Sequence, residues 1–245
     1  MIGERGHALA KLTLSLRVTG TRADGFHLLD AEMVTVDLAD ELEFSAGDGI
    51  ELLPGLAAGP LDDTNLVRRA LRAVGRTAHV RLRKRIPPGA GLGGGSADAA
   101  AVLRWARVTD TDLAASLGAD VPFCLVGGRA RVTGIGDVIE PLAFEARTFT
   151  LLVPPLEVST PAVYRVWDEL GGPTGDGAND LEPAALVVEP RLAEWRDRLG
   201  DATGATPCMA GSGATWFVEG SHRGPGLTCV RTANPEKPKI VGATA

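Results

Sequence analysis

At 245 residues the chain is long enough to bury a substantial core and to form one large or two small domains. Its 44% hydrophobic and 23% charged residues are globular proportions, and a net charge of −6 argues against a general nucleic-acid binder, whose phosphate contacts need a basic excess. No apolar run reaches bilayer length, no signal-type apolar stretch precedes Thr13, and the three scattered cysteines read as reduced thiols, so a cytoplasmic protein that binds neither nucleic acid nor membrane is expected.

Taken in chain order, Lys11 to Val18 alternates with Leu12, Leu14, Leu16 and Val18 on one face, which predicts a half-buried strand. Met33 to Leu38 and Val80 to Leu82 alternate likewise, and together they predict antiparallel sheet. Asn65 to Val74 has apolar residues at helical spacing behind the cap candidate Thr64; Ser96 to Ala106 and Leu192 to Leu199 also read as helices. After Pro154-Pro155 the chain restarts with a new strand and helix series. The expected fold is α+β in two domains, residues 1–153 and 154–245.

The stretch Pro87-Pro88-Gly89-Ala90-Gly91-Leu92-Gly93-Gly94-Gly95-Ser96-Ala97-Asp98 holds five glycines in seven positions and runs into a helix-forming segment. Glycines let a ligand approach the main chain, and a following helix aims its unpaired first amides and positive dipole end into the loop. An anion fits there. Ser96 is the candidate N-cap, and Asp98 is placed in the acidic first turn. A flexible linker would not be flanked by Pro-Pro and an alanine-rich helix, and Gly89, Gly91 and Gly94 match G-x-G-x-x-G without the apolar strand that a dinucleotide turn follows. No G-x-x-x-x-G-K-[ST] is present, so the ordinary P-loop is excluded. Lys11 stands in an otherwise apolar strand, facing either a site or solvent, and Asp120 lies among apolar neighbours as either a site carboxylate or a turn or cap residue.

Pro87 to Leu103 resembles the glycine-rich segment of the GHMP kinases. Ala10-Lys11-Leu12-Thr13-Leu14, Arg22-Ala23-Asp24-Gly25-Phe26-His27, Thr64-Asn65-Leu66-Val67, Gly118-Ala119-Asp120-Val121-Pro122-Phe123, Val158-Ser159-Thr160-Pro161, Asn179-Asp180-Leu181-Glu182-Pro183 and Met209-Ala210-Gly211-Ser212-Gly213-Ala214 follow in family order. Gly-Gly-Gly-Ser-x-Asp-Ala-Ala is most similar to the branch that acts on a cytidine diphosphate methylerythritol. The resemblance implies an N-terminal half like domain 2 of ribosomal protein S5, a ferredoxin-like C-terminal half, and an active site in the cleft between them.

It also implies roles. ATP would be the co-substrate with Mg²⁺, held by Pro87, Pro88, Gly89, Ala90, Gly91, Leu92, Gly93, Gly94, Gly95, Ser96 and Ala97, with Asn65 and Lys84 near the adenine and Ser96 reaching the metal. Asp120 would take the proton of the acceptor hydroxyl, and Lys11 would hold that hydroxyl and stabilise its developing charge. Phe26 and Tyr164 would sandwich a cytosine ring while His27 reads its edge, with Thr13 and Thr160 nearby. On the residues alone, Tyr164 reads instead as core on the Ala162 to Leu170 helix and His27 as a surface loop residue. Thr13 replaces the family's asparagine, Phe26 its tyrosine, and the 105–118 segment and the C-terminal half are shorter than usual. A monomer or weak homodimer is expected.

Overall fold

The computed structural model describes residues 3–57, 59–173 and 177–234. Its first sheet is organised around β2 (His27–Ser45), which pairs along one edge with the long β1 (Glu4–Thr21). On its other edge β2 pairs first with β5 (Arg129–Gly134) and then with β4 (His79–Arg83). β6 (Val138–Leu142) lies outside β5, and β3 (Gly49–Leu52) runs parallel outside β4. Against this sheet lie α1 (Leu66–Ala73), α2 (Gly94–Trp105), α3 (Thr111–Leu117) and α4 (Val121–Val126). α2 is apolar around most of its girth, and it is buried accordingly between β1, α1 and α4. The cap of α1 is Asn65, whose side chain accepts from the Val67 amide at 2.9 Å. Thr64, the expected cap, bonds Asp62 instead.

The second sheet holds β7 (Thr148–Leu152), β8 (Cys208–Met209), β9 (Trp216–Glu219) and β10 (Leu227–Arg231), with α5 (Thr160–Glu169), α6 (Glu182–Val188) and α7 (Leu192–Thr203) between β7 and β8. Its spatial order is β10-β7-β9-β8, antiparallel throughout, the fourth-first-third-second order of a ferredoxin-like half. β9 passes to β10 through a Gly- and Pro-containing turn run and not a helix, as the shortened sequence implies. β7 belongs to this sheet although it precedes residue 154, so we place the division of the halves before Thr148. The α+β class and two-sheet architecture agree with the sequence reading.

Candidate active site

β1 carries the first site residues, and its ladder is broken by irregularities between Leu9 and Lys11 and between Thr13 and Ser15. Such bulges re-aim side chains. Ala10, Lys11, Leu12 and Thr13 are all buried, so the predicted alternation fails here: a second layer covers the face expected to be solvated. That layer is the glycine loop, whose Leu92 carbonyl accepts from the Lys11 amide at 3.1 Å. Lys11 faces a site and not open solvent. Its ammonium donates to Thr13 Oγ1 at 3.1 Å and stands 3.6 Å from Asp120 Oδ2. Asp120 occupies the N-cap position of α4, yet its side chain makes no capping bond. The carboxylate is left for the cleft.

The loop between β4 and α2 takes left-handed backbone at alternate glycines, with φ of +66° at Gly89, +73° at Gly91 and +69° at Gly93. Gly93 is the N-cap of α2 and offers no side chain to the free amides behind it. This corrects two sequence assignments. Ser96 lies inside the first turn and does not cap, and Asp98, expected in the acidic first turn, lies beyond it and is buried. A Cβ on Gly93 would lie 2.8 Å from Lys11 Cγ. Gly93→Ala is therefore expected to push Lys11 out of place and lower turnover by about 10- to 100-fold; unchanged steady-state kinetics on the folded variant would show the contact to be slack.

Lys84, expected beside the adenine, ends in a buried ion cluster. Its ammonium bonds Asp40 of β2 and, at 2.7 Å, Asp98 of α2. Asp40 Oδ1 also accepts from the Ile86 amide at 2.8 Å. Both ends of the glycine loop are thus fastened through one lysine. Burial pushes the Asp98 carboxyl up to about 7, against the pull of Lys84. Burial by itself would lower the Lys84 ammonium, but Asp98 and Asp40 outweigh it and raise it.

Two cavities meet at this loop. The larger, about 680 Å³, is lined by Lys11, Thr13, Phe26, His27, Asp120, Thr160 and Tyr164 among others. The smaller, about 390 Å³, is lined by Asn65, Lys84, Pro87, Pro88, Gly89, Ala90, Gly94 and Gly95. Gly91, Gly93 and Ser96 line both. Leu92 and Ala97 border neither and belong to the core.

At the far end of the larger cavity the His27 ring stacks on Tyr164, centroids 4.7 Å apart, and meets Trp167 edge-on at 5.5 Å. Asp168 Oδ1 accepts from His27 Nε2 at 2.8 Å. Tyr164 therefore turns one face to His27, where the sequence reading put a base. Phe26 stands exposed at the mouth. Burial, with Asp120 adding to it, raises the Tyr164 phenol, which stays neutral. Burial likewise takes the Cys124 thiol to about 12 and leaves it inert.

Sequence reasoning missed Asp40, Trp167 and Asp168. Nothing distinguishes Asp40 within Leu38-Ala39-Asp40-Glu41-Leu42. Tyr164, Trp167 and Asp168, however, share one helical face at i, i+3 and i+4, a signal that was available. Among the described residues no three His, Cys, Asp or Glu side chains gather to hold a metal. Ser96, which the resemblance implies reaches Mg²⁺, lines both cavities.

Residues 65–128 match the GHMP kinases N terminal domain. The chain is 38% identical over 241 residues to a 4-diphosphocytidyl-2-C-methyl-D-erythritol kinase of Cereibacter sphaeroides, covering 86% of this chain and 87% of the relative. To the kinase of the same description from Ruegeria pomeroyi it is 40% identical, covering 86% of each. It superposes on a crystal structure of 4-(cytidine 5'-diphospho)-2C-methyl-D-erythritol kinase with a TM-score of 0.73 at 32% identity, covering 94% of this chain and all of that one.

Proposed function

The chain belongs to the 4-diphosphocytidyl-2-C-methyl-D-erythritol kinases of the GHMP kinase family, and we propose that it transfers the γ-phosphate of ATP to the 2-hydroxyl of 4-diphosphocytidyl-2-C-methyl-D-erythritol in the non-mevalonate isoprenoid pathway. The observation that carries this reading is the pair of cavities sharing a wall of Gly91, Gly93 and Ser96, with Lys11 and Asp120 on one side of it. ATP takes the smaller cavity, and its triphosphate runs along the glycine amides toward the shared wall. The cytidine substrate takes the larger one.

Phosphoryl transfer depends mainly on positioning and electrostatics. Asp120 accepts the proton of the acceptor hydroxyl as the oxygen attacks, and its carboxylate is free for this because it caps nothing. Lys11, fixed by Thr13 and the covering loop, stabilises the charge that develops on that oxygen. Ser96 would hold a Mg²⁺ ion carried in on the triphosphate, and the chemistry supplied there would be neutralisation of part of the phosphate charge. Phe26 covers the cytosine, and His27, backed by Tyr164, reads its edge.

Incubation of the purified chain with ATP and the cytidine diphosphate substrate should give one phosphate per acceptor, with homoserine and phosphomevalonate inert. Equal turnover of the three would break the substrate assignment. Tyr164→Ala, which removes the surface on which His27 rests, should weaken the cytidine substrate by about 0.5–1.5 kcal/mol, the worth of the hydrogen bond that His27 makes to the base edge, and leave the Kd for ATP unchanged. Weakening of both in calorimetry would mark Tyr164 as core. No helix among the described residues is long and apolar enough to cross a membrane, and we place the reaction in the cytoplasm, carried out by a monomer or weak homodimer without nucleic-acid partners.

A further inference from the structure

Asn179 and Asp180 take no part in the chemistry above, yet their side chains are buried, at 2% and 0% exposure. Polar groups in that setting are costly unless their bonds are made. The Asn179 amide donates to the carbonyls of Met209 at 2.8 Å and Gly211 at 2.6 Å, while its Oδ1 accepts from the Leu181 amide at 2.9 Å. Asp180 holds the opposite side: its Oδ1 accepts from Arg17 at 2.7 Å and its Oδ2 from the Val18 amide at 3.0 Å. The Asp180 amide in turn donates to the Leu16 carbonyl at 2.9 Å. One dipeptide ties β1, the strand of Lys11, to the loop at 209–213.

That loop bears on each part of the site. A Cβ on Gly211, at φ +61°, would stand 3.2 Å from Lys11 Nζ. A Cβ on Gly91 of the phosphate loop would stand 2.3 Å from the Ala210 carbonyl and 2.6 Å from that of Gly213. Ser212 Oγ pairs with Thr160 Oγ1 at 2.6 Å, on the acceptor wall. There is no slack between these backbones, so a shift of the 209–213 loop is passed to Lys11 and to the phosphate loop together.

We propose that Asn179 is a positioning residue for phosphoryl transfer, holding the 209–213 loop so that Lys11 and the glycine loop keep the reacting atoms in line. The inference rests on Lys11 standing at the reaction centre as proposed above. In Asn179→Ala, made in the full chain, kcat should fall by about 10- to 100-fold. The Kd values for adenylyl imidodiphosphate and for the cytidine substrate should stay within about threefold, since their contacts remain. Hydrogen exchange should quicken in the 209–213 segment while α1 and α7 keep their protection. Unchanged kcat with unchanged exchange overturns the proposal. So does loss of both affinities in step with a fall in melting temperature, which would make Asn179 purely structural. Where the alanine variant does not fold, Asn179→Ser, which leaves a smaller void and one hydroxyl donor, is judged by the same comparison. No turnover in the unaltered chain would sink the proposed reaction instead, and the exchange comparison would still decide whether Asn179 holds the loop.

Discussion

Asp120→Asn should lower kcat by about two to four orders of magnitude while leaving the Kd for ATP almost unchanged. The substitution keeps size and shape and removes the proton acceptor. Asp120 is a clean target because it has no structural duty that asparagine would disturb: its side chain makes no cap bond to α4, and its near neighbour is the Lys11 ammonium at 3.6 Å. About a third of the side chain is exposed, and with it Asp120 lines the larger cavity. Loss of its charge also leaves Lys11 without its carboxylate neighbour, which would strengthen anion binding if it did anything to ATP. Single-turnover measurement, with nucleotide affinity read separately, distinguishes the two effects. Turnover within a few-fold of the parent would mean that Asp120 is structural and that transfer proceeds without this base.

How much of this was legible in the sequence depends on whether the determining contacts are local. The glycine loop was legible because backbone freedom is a property of the residues themselves, and Gly89, Gly91 and Gly93 do take left-handed angles. The alternation of β1 predicted a strand, yet not that Lys11 and Thr13 would be covered, since the cover comes from segments about 80 and 200 residues away. The cap of α2 was misread for a related reason. Ser96 has the right chemistry for an N-cap, but the helix begins two residues earlier at Gly94, behind Gly93, which has no side chain to cap the free amides. Asp98 looked like an ordinary first-turn acid until Asp40 of β2 and Lys84, the residue after β4, arrived beside it. Tyr164 was legible as an aromatic of the acceptor side, but its partner was not, because stacking with His27 joins residues 137 positions apart in the two halves.

Lys84→Met should destabilise the fold by about 3–5 kcal/mol at pH 8, the usual result of removing one member of a buried ion cluster. Methionine matches the aliphatic stem but leaves Asp40 and Asp98 close together, both almost wholly buried, without a cation. The direction of the pH dependence follows from Asp98. Its folded-state pKa, about 7, lies above the ordinary carboxylate value of 3.8, because burial disfavours the charged form. Folding therefore takes up a proton between those values, and the stability this group contributes is fully present below about pH 4 and lost as pH rises through about 7. Without Lys84 the ionised form has lost its main support, so the deficit of the variant relative to the parent should be greatest above pH 7 and should shrink toward pH 5. Urea unfolding of both proteins at pH 5, 6 and 8 reads this difference directly, and other titrating groups cancel in the comparison. A deficit under about 1 kcal/mol, equal at all three values, would show that the ammonium does not compensate the two carboxylates. Because the same lysine fastens both ends of the glycine loop, the destabilised variant should also lose ATP affinity at pH 8 and recover part of it at pH 6, before the whole chain unfolds.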